Sequence, residues 1–158
     1  MTEQKARCLI LACGNTLRGD DGIGPFLCAW AEERFAGEPG VRAIASHQWT
    51  PDMAEDIASA ETVLFIDCAL DQAPGQLLLR ELVPAPLKPG LVTHHLGAPE
   101  LLHTALELFG SQPRRAFLLT VGAGTIELGE NFSQPVLDAI PLACAKVEES
   151  VTRLLAAV

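Results

Sequence analysis

No apolar run in this chain approaches the about 20 residues a helix needs to cross a bilayer, so a helical membrane protein is not expected. Basic residues are few. Eleven Lys and Arg stand against 20 Asp and Glu, which leaves a formal net charge of −9 and a pI near 4.8. An acidic surface attracts neither nucleic acid nor anionic membranes, so small molecules, metal ions and other proteins are the expected partners. The stretch Met1–Arg7 precedes only six apolar residues, with no small-residue cleavage pattern after them, and no signal peptide is expected. No CxxC pair occurs among the five cysteines, Cys8, Cys13, Cys28, Cys68 and Cys144. Their odd number and their places in apolar segments predict free, buried thiols in a reducing cytoplasm. The chain also has no GxSxG elbow, no HExxH helix and no Gly-Lys-Ser/Thr phosphate loop. Neither an α/β-hydrolase, a typical zinc protease nor a P-loop enzyme is indicated. Repeats, linkers and low-complexity segments are absent too. With 49% hydrophobic residues, residues 1–158 read as one domain able to bury a sizeable core.

Apolar runs and helical stripes alternate along the chain, which predicts an α/β domain. A first strand is expected at about Arg7 to Cys13. A helix from Gly22 to about Phe35 would put Ile23, Phe26, Leu27 and Trp30 on one face, with Asp20 or Asp21 as its cap. Val41–Ser46 reads as a strand, and Thr50-Pro51 as the start of a short helix through Ala58. Thr62-Val63-Leu64-Phe65-Ile66 is β-branched, aromatic and uninterrupted, as a central strand should be, and it ends in Asp67. Gln76–Leu82 follows the Pro74-Gly75 turn without a helix between, so it should be antiparallel or at an edge. A helix opens at Pro99, a strand spans Ala116–Val121, and a last helix carries Ile140, Cys144, Val147, Val151 and Leu154 as a packing stripe.

The segment Gly14-Asn15-Thr16-Leu17-Arg18-Gly19-Asp20-Asp21-Gly22-Ile23-Gly24 lies between the first strand and the first helix. Its glycines permit a tight, closely approached turn, and its adjacent carboxylates suit a metal ion rather than a phosphate. In an open α/β sheet the ligand crevice lies beyond the carboxyl ends of the strands where their order reverses. With a 2-1-3 order, Asp20 and Asp21 would stand on one side and Asp67 on the other. Thr93-His94-His95-Leu96-Gly97, just before a helix, offers an imidazole. Two carboxylates and an imidazole suit Ni, Zn, Mn or Fe better than Ca, with positions open for water or substrate. Taken singly, each residue has an ordinary role as a cap, a turn residue or a loop imidazole. Their joint placement is what points to a metal-handling site. Cys68, beside Asp67, is the thiol set apart from the others.

In these residues the chain resembles the maturation endopeptidases of nickel–iron hydrogenases. The resemblance covers the Gly14–Gly24 motif, Asp67, the Pro74-Gly75 turn and the His94-His95-Leu96-Gly97 helix entry, and it spans nearly the whole length. It implies a single α/β domain with a twisted, mostly parallel sheet between helices on both faces. It also implies an activity: removal of a C-terminal extension from the hydrogenase large-subunit precursor once nickel has been inserted. Nickel would be recognised in the precursor, without necessarily being held by the free enzyme. Three side chains approach the nickel in that family. By position they are Asp21, Asp67 and His94, which the resemblance makes both the catalytic and the metal-binding residues.

His95 takes a place that varies in the motif, and Asp21 stands where Glu is often found. Some members carry an acid after the second strand. Here the stretch reads His47-Gln48-Trp49-Thr50-Pro51-Asp52, and His47 falls nearest that acid. No residue set supplies an obvious nucleophile, so the metal is expected to act as a template that places the scissile peptide. Two other readings use the same residues. One is a noncatalytic nickel chaperone or assembly factor. The other is a phospho-receiver, which would need its acid pair directly on the strand end and a lysine where Val121-Gly122-Ala123-Gly124-Thr125 stands.

Overall fold

A computed structural model of the chain describes residues 5–86 and 96–157. Five strands, β1 (Cys8–Cys13), β2 (Val41–Ser46), β3 (Thr62–Ala69), β4 (Leu77–Glu81) and β5 (Arg115–Gly122), form a single sheet. Among the described residues four α-helices accompany them: α1 (Ile23–Arg34), α2 (Ala54–Ala58), α3 (Ala98–Phe109) and α4 (Gln134–Ala156). The strand order is β2-β1-β3-β5-β4. All neighbours run parallel except β4, which pairs antiparallel with β5 at the edge. Among the described residues no helix is long and apolar enough to cross a membrane.

Side-chain alternation along the central strands splits the core in two. Cys8, Ile10 and Ala12 of β1 join Leu64 and Ile66 of β3 and Phe117, Leu119 and Val121 of β5 under α1 and α4. Leu9 and Leu11 join Val63, Phe65, Ala116 and Leu118 on the opposite face, under α2 and α3. Every residue of β1 is buried, which is why it reads as a continuous apolar run rather than an alternating one. The expected α/β architecture with helices on both faces is therefore present.

Two local expectations are corrected. The buried face of α1 is Ile23, Gly24, Leu27, Cys28 and Ala31, while Phe26 is 41% exposed and Trp30 only partly buried. Small residues win because the helix approaches the sheet closely: a Cβ on Gly24 would lie 2.4 Å from the Cys13 carbonyl oxygen. Phe26 instead meets Phe132 edge-on at 5.6 Å. On α3, Leu101, Leu102 and Ala105 are buried as the pattern predicts, but Leu106 and Phe109 are exposed. The stripe of α4 holds, with Val147, Val151 and Leu154 fully buried and Ile140 and Cys144 packed against the core.

The order reverses at β1, whose neighbours β2 and β3 both run parallel to it. The crevice beyond the carboxyl ends of β1 and β3 is where an open sheet of this kind receives a ligand.

Candidate active site

The loop leaving β1 turns back on itself at Gly14, where a Cβ would lie 1.9 Å from the Asp21 carbonyl oxygen. Only glycine admits that approach. A second loop, between β5 and α4, clasps the first through its backbone. Gly19 N–H donates to Gly129 O at 2.7 Å, Asp20 N–H to Thr125 O at 2.9 Å, and Gly129 N–H to Leu17 O at 2.8 Å.

The two adjacent acids of this loop part ways. Asp20 points inward and is fully buried. Its Oδ2 accepts the N–H groups of Gly124 (2.6 Å) and Thr125 (3.0 Å) and the Ser133 hydroxyl (2.7 Å), and its Oδ1 accepts the Ser133 N–H (2.7 Å). Burial pushes this carboxyl up, but the bonds from Ser133, Thr125 and Gly124 outweigh it and hold the group below its usual range. Asp20 is thus not a helix cap: no side chain caps α1 or the 3-10 turn Gly19–Gly22 ahead of it. Its role is to tie the first loop to the start of α4.

Asp21 faces the crevice. Its Oδ2 accepts the Asn15 N–H at 2.7 Å, and its Oδ1 accepts the Cys68 thiol at 3.1 Å. Asp67 stands across from it, within β3 rather than at its end, because β3 stays paired with β5 as far as Ala69. The Asp67 carboxylate accepts the Cys68 N–H at 2.8 Å. Burial raises the Asp67 carboxyl to about 6. Bonds from the Cys13 thiol and the Cys68 N–H offset part of that rise, and the Asp21 charge adds to it. One carboxylate oxygen from each acid and the Cys68 sulfur all lie within 4.8 Å of one another. Asp21 and Asp67, far apart in sequence, are therefore brought together as expected.

The thiols here are poor nucleophiles. Burial first, then the neighbouring carboxylates, push both Cys13 and Cys68 well above an ordinary thiol. All five cysteines are free. His94 and His95 lie outside the described residues. His47 is exposed just past β2, whereas nearby Trp49 is buried against Phe65 at 5.2 Å between ring centroids. Sequence reasoning did not find the Cys68–Asp21 contact or the Ser133–Asp20 pin. A thiol next to an acid at a strand end was the available signal for the first. Nothing in the sequence marks the second.

A cleft with two carboxylates at a sheet's switch point can hold a divalent cation or move a proton. Against known proteins, the chain is 26% identical over 155 residues to the hydrogenase 2 maturation protease of Escherichia coli (strain K12), covering 96% of this chain and 90% of that protein. In sequence the chain is thus similar to a hydrogenase maturation protease along nearly its whole length. Its fold is that of the hydrogenase maturating endopeptidase HybD from E. coli, with a TM-score of 0.73, 22% identity and 93% of each chain covered. A hydrogenase 2 maturation peptidase from a Thaumarchaeota archaeon gives a TM-score of 0.66 at 24% identity, over 92% of this chain and 98% of that one. No family model matches the chain. The phospho-receiver reading fails on topology and chemistry together: β4 is an antiparallel edge strand, and the Gly122–Thr125 loop carries no lysine.

Proposed function

We propose that this chain removes the C-terminal extension of a nickel–iron hydrogenase large-subunit precursor, and that it recognises the nickel already inserted there through Asp21, Asp67 and His94. The observation that carries this reading is the convergence of the Asp21 and Asp67 carboxylates across the crevice. The donor set fits such an ion. A desolvated carboxylate raised to about 6 is relieved by a neighbouring cation, which replaces the missing water as the partner of its charge.

Nickel bound in the precursor would supply a Lewis-acidic template beside the scissile peptide. The protein's part is positional. The Asn15 N–H fixes one oxygen of Asp21, and strand pairing on β3 fixes the backbone of Asp67. Holding the donors in place converts a loose encounter between two proteins into an oriented one. The acidic surface, at net charge −9, supports a protein or metal partner over nucleic acid. Five free thiols support a reducing, cytoplasmic setting.

The test is processing of purified precursor, with and without nickel, followed by the mass of the large subunit. Loss of the extension only in the nickel-loaded sample is expected. Equal cleavage in both would overturn nickel recognition, and no cleavage in either would favour a noncatalytic assembly factor.

A further inference from the structure

We propose that Cys68 is a further metal donor in the Asp21–Asp67 cleft, making it a mixed oxygen and sulfur site that prefers borderline and soft divalent cations. The inference rests on the reading above that this cleft meets a metal ion. It adds the donor that decides which metals are accepted.

Neighbours on a strand ordinarily point to opposite faces, so Asp67 and Cys68 would not be expected to share a ligand. They do so here because β1 leaves the sheet before β3 does. The β1–β3 register runs to Ala12 opposite Ile66, whereas β3 continues to Ala69. β1 itself ends one residue further on, at Cys13, so beside Cys68 no β1 strand separates the two faces, and Asp21 of the first loop lies there instead. The Cys68 sulfur reaches Asp21 Oδ1 at 3.1 Å, and the set of one sulfur and two carboxylate oxygens spans no more than 4.8 Å. Oxygen and sulfur donors about 2.1 and 2.3 Å from one ion stand about 3.6 Å apart in a tetrahedral site. The observed contact needs only a small opening to admit a cation between its partners.

Binding exchanges one bond for another without change of oxidation state. The S–H bond breaks, its proton leaves to the solvent, and a sulfur–metal bond forms in place of the S–H···Oδ1 contact. A thiolate among carboxylates favours Ni, Zn or Cd over Mg, Ca or Mn.

The full chain, titrated with Ni²⁺, Co²⁺ or Cd²⁺, should develop thiolate-to-metal charge-transfer absorption that saturates at stoichiometric metal. Cys68→Ser, close in size to the original, should lose that band and bind Cd²⁺ about tenfold or more weakly, while Mn²⁺ binding changes by no more than about threefold. In the unaltered protein, Cd²⁺ should slow alkylation of Cys68, mapped by peptide mass, and leave Cys144 on α4 unaffected. Metal bound with no charge-transfer band, a band that survives in Cys68→Ser, or no binding by the free chain would each overturn the proposal. The precursor assay is read separately. Nickel-dependent cleavage without a sulfur band leaves the peptidase reading standing and removes Cys68, whereas a sulfur band without any cleavage does the reverse.

Discussion

Asp20 is a buried acid and Asp67 a half-buried one near the same loop, and their surroundings act on them in opposite directions. Four hydrogen bonds converge on Asp20 and hold its carboxyl below the usual range. Asp67 receives fewer, faces the Asp21 charge and is pushed up to about 6. The first carboxylate stabilises the fold. The second opposes it once ionised, and that cost is relieved when a cation or a proton neutralises the charge. Unrelieved charge in a cleft marks a functional group, and satisfied charge marks a structural one.

The sharpest way to break this contrast is by substitution. Asp21→Asn and Asp67→Asn should each lower precursor processing by about two orders of magnitude or more, because each removes a donor while preserving shape. Thermal melts of both should stay cooperative. Near-normal processing by either variant would take that residue out of the site.

Asp20→Ala should act on stability instead. It leaves three backbone N–H groups and a hydroxyl without their acceptor, for a loss of about 3 kcal/mol measured by denaturant unfolding. A loss below about 1 kcal/mol would mean that the socket does not organise the loop.

Asp67→Asn should stabilise the protein at pH 7 by about 1–3 kcal/mol, as expected for a carboxyl raised by about two pH units. The sign follows from proton uptake. Because the folded value lies above the unfolded one, the native state holds the extra proton, so Asp67 contributes stability at low pH and loses it as pH rises through about 6. The gain in the variant should therefore vanish below about pH 4. Asp20 runs the other way: its contribution is present above the unfolded carboxyl value and is lost as the solution is acidified through its depressed one. Melting temperatures of the two variants across pH 3 to 8 would show curves of opposite slope. Smallest of all, His47→Ala should change stability by less than about 0.5 kcal/mol and leave processing nearly unaltered, since the imidazole is exposed. A large fall in processing would draw His47 into the site.

Much of this contrast was hidden from the sequence, for a physical reason. Strands β1 and β3 are legible because both are apolar runs bounded by turn residues, and β4 because Pro74-Gly75 leaves no room for a crossover helix. The meeting of Asp21 with Asp67 follows from the strand order alone. The socket does not, since Ser133 lies 113 residues from Asp20 and a buried acid before a helix looks the same as an exposed cap. The face of α1 was misread because bulk usually marks the inner side, whereas here close approach at Gly24 reserves that side for small residues. Asp67 is expected to end its strand, whereas β3 runs on to Ala69 because the extra pairing comes from β5.

The start of α4 bears on how the molecule is made. Ser133 grips the Asp20 loop, and the Pro135 carbonyl closes against Gly75 at the β3–β4 turn, leaving no space for a Cβ there. Both banks of the crevice thus lean on the first turn of α4. A nascent chain still missing that helix would carry its acids unassembled, so the crevice should take shape only once α4 has been made.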